Sequence, residues 1–157
     1  MQLSEFIGSI PSFVEQAIDI GKKLSNGDSD LTLDLSSIKK MDPIVDYLHN
    51  LWRKDLIDNT IARNSAVVFG VLLGEIIIKE HGFHWAINEE KIPVVETEDR
   101  NQLSPITKLY KIITDEEDDG GEGSPSGFYD GFKALQQYYA MSDEERERIT
   151  TYIRSEE

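Results

Sequence analysis

Apolar side chains recur along the first part of the chain at Phe6, Ile7, Ile10, Val14, Ala17, Ile18 and Leu24, a helical spacing over residues 4–24. Ser4 is placed to cap this helix, and Pro11 either kinks it or marks a second start. Asn26-Gly27-Asp28 ends it. Leu31, Leu33 and Leu35 then alternate with polar residues, the period of a short half-buried strand or of an extended lead-in. Ser36 or Ser37 caps the next helix, which carries Ile38, Met41, Val45, Leu48 and Trp52 on one side, with Asp42-Pro43 as a restart.

From Thr60 to His81 the polar face disappears. Val67, Val68, Phe69, Val71, Leu72, Leu73, Ile76 and Ile77 surround the axis, so this segment predicts a central helix buried all round, with Gly82 as its stop. Gly70 and Gly74 lie one turn apart on a common face and let another element approach the backbone, at about 1 kcal/mol of helix propensity each. Trp85-Ala-Ile and Ile92-Pro-Val-Val-Glu-Thr97 flank a turn at Asn88–Lys91 and predict a β-hairpin, Pro93 implying an edge. Pro105 opens a helix bearing Ile106, Leu109, Tyr110 and Ile113. Two further helices are predicted around 128–139 and 142–155, the latter opened by a Ser142/Glu145 capping box. The expected fold is therefore α+β, a mainly helical single domain over residues 1–157, with a small antiparallel hairpin or sheet packed on the buried central helix.

Composition narrows what such a domain does. Sixteen Lys and Arg against thirty Asp and Glu leave a net charge of -14, which disfavours nucleic acid and anionic membrane as partners. Residues 115–157 hold 13 acidic and 4 basic groups, so the C-terminal quarter alone carries -9. Within it, 115–127 form an acidic loop rich in Gly and Ser, and Asp115, Glu116, Glu117, Asp118 and Asp119 are candidates to contact a basic protein partner, against the plainer expectation of a solvated spacer. The absence of cysteine removes disulfides and thiolate chemistry and fits a reducing compartment. The N-terminus lacks the basic and uninterrupted apolar regions of a signal peptide, and the apolar run Ala66–Ile78, interrupted by Glu75, falls short of a membrane span. A cytoplasmic protein is expected.

One layout is more specific than its pieces: Ser37-Ile-Lys-Lys-Met-Asp42, then Phe69-Gly-Val-Leu-Leu-Gly-Glu75, then Gly82-Phe-His-Trp85 and a hairpin. Over roughly residues 31–114 it resembles an uncharacterised bacterial domain family with an F-G-x-x-L-G-E helix followed by G-x-x-W. That resemblance implies an α+β domain, no established activity, and a structural motif of Phe69, Gly70, Gly74, Glu75 and Trp85.

A carboxylate among apolar neighbours must be paired, hydrogen-bonded or at the rim. Glu75 has three readings: an ion pair with Lys79 four residues on, acceptance of the Trp85 indole N–H so that helix docks on sheet, or a general acid or base, for which no companion is placed. His81 and His84 form an H-x-x-H pair without the further ligands zinc needs. Asp115, Glu117, Asp119 and Gly120 match the start of a calcium loop, which fails where Ser126 replaces the bidentate glutamate. No phosphate cradle or nucleophile elbow is present. No catalytic residue, metal or cofactor is expected. The sequence favours a non-catalytic bacterial interaction or accessory domain with an unknown protein partner; the alternative is an immunity-type acidic inhibitor of a toxin such as a nuclease.

Overall fold

The computed structural model describes residues 2–25, 27, 30–115 and 123–155, with side chains to Thr151. Its elements are α1 (Leu3–Leu24), α2 (Ser36–Arg53), α3 (Asn59–His81), β1 (His84–Ile87), β2 (Pro93–Glu96), β3 (Gln102–Leu103), α4 (Pro105–Ile113), α5 (Pro125–Ala140) and α6 (Asp143–Ser155). The fold is the expected mainly helical α+β arrangement. It divides into two compact units, Met1–Ser126 and Gly127–Glu157.

In the first unit α1 is one continuous helix, neither restarted at Pro11 nor capped by Ser4; its N-cap position is Gln2. Proline withdraws the hydrogen bond that would reach the Ile7 carbonyl. Both residues are exposed, so water can serve that carbonyl and the helix continues. Phe6, Ile10, Ala17 and Gly21 form its buried stripe. The Leu31–Leu35 segment is no strand: Leu31 is buried, while Leu33 and Leu35 face solvent. Ser37, fully buried, does not cap α2 but accepts the Thr32 backbone N–H at 2.7 Å and so fastens the lead-in to the helix. Pro43 lies inside α2 without interrupting it.

Asp58 caps α3, its carboxylate accepting the Ile61 N–H at 2.9 Å, a contact that the expected start at Thr60 misses. At the other end Gly82 adopts φ 75°, a left-handed stop open to glycine without strain, and its N–H reaches the Ile78 carbonyl. Between them Val68, Phe69, Val71, Leu72, Leu73, Ile76 and Ile77 are all buried, under α1 and α4 and beneath the sheet. By length and composition α3 could cross a membrane, which the shorter apolar run did not suggest. Two thirds of that apolar window (67%) is buried within the protein, and packing accounts for its hydrophobicity.

The sheet has three antiparallel strands in the order β1-β2-β3, with Trp85 opposite Val95 and Val95 opposite Leu103. The third strand makes β2 central, so Pro93 is not on an edge strand. It is the first residue of β2 and pairs with Ile87 alone, beyond the reach of β3, where its missing N–H breaks no ladder bond. The hairpin turn is held by the Asn88 side chain, which accepts the Glu90 and Ile92 N–H groups at 3.0 and 2.9 Å. α4 opens with Pro105 as expected.

In the second unit Tyr129 and Phe132 are buried, with ring centroids 6.2 Å apart. Ser142 caps α6 as expected, its hydroxyl accepting the Glu145 N–H at 3.2 Å. Arg146 lies over the Tyr138 ring.

Candidate functional site

The motif on α3 is a docking device. Trp85 donates its indole N–H to a Glu75 carboxylate oxygen at 3.0 Å, so of the three readings of Glu75 the helix-to-sheet contact is the one the structure contains. The ring is 6% exposed and meets Phe6 edge-on, centroids 4.9 Å apart. Gly74 makes room for it, since a Cβ there would lie 2.5 Å from the indole Cζ2. Gly70 serves a different neighbour, because a Cβ at that position would sit 2.6 Å from the Ile106 Cα at the start of α4. The two glycines therefore admit two elements rather than one. Phe69 is wholly buried beside them.

Lys79, the alternative partner for Glu75, reaches instead to Asp34 at 3.2 Å. The hydrogen bond from Lys79, its positive charge and a further hydrogen bond from the Thr32 hydroxyl hold the Asp34 carboxyl below the ordinary carboxylate range. Both partners are well exposed, so solvent screens the pair.

His81 and His84 have different neighbours. His81 stacks on Phe83 at 5.4 Å, and His84 Nε2 lies 3.9 Å from a Glu96 oxygen. Among the described residues no three His, Asp or Glu side chains gather as a metal site would require. Of the five candidate acidic residues Asp115 is described, half-buried; Glu116, Glu117, Asp118 and Asp119 lie outside the described residues, as does most of the segment compared with a calcium loop, while the last residues of the expected loop, from Pro125, belong to α5.

Asp115 does border a cleft of about 350 Å³, together with Asp42, Asp46 and His49 of α2, Ile112 of α4 and Ser124. The three α2 residues fall at i, i+4 and i+7, one face of a helix, a spacing visible in the sequence but not singled out there. His49 Nδ1 is 3.1 Å from the Ile113 carbonyl, which can only accept, so this nitrogen carries a proton and donates it. Asp42 accepts both the backbone N–H of Ser126, at 2.9 Å, and its hydroxyl. These contacts tie α2 to α4 and to the segment ending at Ser126. They use the acceptor capacity of Asp42 and the Nδ1 proton of His49 for structure.

The turn between α2 and α3 is built differently. α2 stops with the Asp55 N–H on the Trp52 carbonyl at 3.0 Å and the Leu56 N–H on the Leu51 carbonyl at 2.9 Å, the paired bonds of a Schellman stop. Its left-handed position is usually glycine; here Asp55 occupies it at φ 58°. Four residues later Asn59 accepts the Tyr110 hydroxyl of α4 at 2.6 Å. The turn is thus pinned at both ends, yet Leu56 is 65% exposed and Ile61 46% exposed. Comparison with known protein families, with characterised proteins and with solved structures finds no match for the chain.

Proposed function

We propose that the chain is a non-catalytic bacterial interaction or accessory domain of the cytoplasm, of the kind its motif layout resembles, and that it works by docking a protein partner. The observation that carries this reading is the α2–α3 turn. It holds Leu56, the most exposed large apolar side chain among the described residues, on backbone fixed by two helix-terminal hydrogen bonds, beside a residue in the left-handed conformation. A rigid apolar projection loses little entropy on binding, which is what a contact surface needs. The polar groups nearest to chemistry, Glu75, Asp42 and His49, instead hold elements of the fold together.

A second reading, an acidic inhibitor covering the basic active site of a toxin, is favoured by the charge of -9 over residues 115–157. One experiment separates the two. A partner identified by cross-linking in cells is titrated by calorimetry against the parent, Leu56→Asp, and a form with Asp115, Glu116, Glu117, Asp118 and Asp119 changed to Ser and Asn. Loss of at least about tenfold in affinity for Leu56→Asp alone supports docking through the turn. Loss confined to the charge-stripped form, with a flattened salt dependence of association, supports the inhibitor. Turnover of any substrate that disappears in Asp42→Asn or His49→Gln would remove both.

A further inference from the structure

We draw no further inference here: the strongest candidate, the cleft of about 350 Å³ that Asp42, Asp46 and His49 of α2 form with Asp115 and Ser124, is an acidic cluster in which Asp42 and His49 already serve the packing of the fold, and no second observation among the described residues points to a ligand.

Discussion

The body of α3 and the turn that leads into it treat exceptions to ordinary helix chemistry in opposite ways. Around Gly70, Gly74 and Glu75 each irregular residue has a partner that explains it: each glycine has a neighbour lying where its side chain would be, and the carboxylate has an indole N–H. At the turn leading into α3, the non-glycine Asp55 takes a left-handed conformation and Leu56 is left 65% exposed. Local rules broken and compensated inside the fold mark architecture. Those broken without internal compensation are where contact with another molecule is to be sought.

The contrast breaks most visibly at Gly70. Gly70→Ala forces a methyl group against the backbone of Ile106, which cannot swing aside as a flexible side chain would. Overpacking of this kind costs about 1–3 kcal/mol, so the thermal midpoint should fall by roughly 3–10 °C. A melt equal to the parent would mean that α4 shifts freely and that the α3–α4 contact is not close-packed.

Glu75 sharpens the same point with a smaller effect. Glu75→Ala leaves the indole N–H of a 6% exposed tryptophan without its acceptor, a loss of about 1–3 kcal/mol in urea unfolding. Glu75→Gln keeps an acceptor oxygen and should lose less than about 1 kcal/mol. Equal losses from the two would show that charge, rather than the hydrogen bond, is what Trp85 requires.

The turn supplies the smallest effect and the opposite sign. Asp55→Gly relieves the left-handed conformation, partly offset by the greater freedom of glycine in the unfolded chain, and should raise stability by about 0.5 kcal/mol. A loss instead would mean that the aspartate side chain contributes a contact that outweighs its backbone strain, and the contrast between α3 and the turn before it would weaken.

Periodicity was sufficient for the helices, the stop at Gly82 and the first hairpin, because these depend on neighbours within a few residues. At Leu31–Leu35 it left a strand and a lead-in both open, and the structure has the lead-in, since alternation alone does not make a strand without another strand beside it; it missed Gln102–Leu103, which is a strand only because β2 lies alongside. Pro11 reads as a kink or second start and Pro43 as a restart, yet both lie off the buried faces of their helices and meet water, where a missing backbone hydrogen bond is tolerated.

For the candidate sites, the residue types of the α3 motif were legible and their partners were not. Two glycines and a glutamate imply close approach and a hydrogen bond, but the choice of Ile106 and Trp85 as their neighbours, and of Asp34 rather than Glu75 as the partner of Lys79, comes from tertiary packing. The cleft beside Asp42, Asp46 and His49 and the exposure of Leu56 are likewise tertiary facts. Local sequence determines which backbone shapes and solvent preferences are cheap; only packing between distant segments decides which buried groups meet and which apolar side chain is left facing outward.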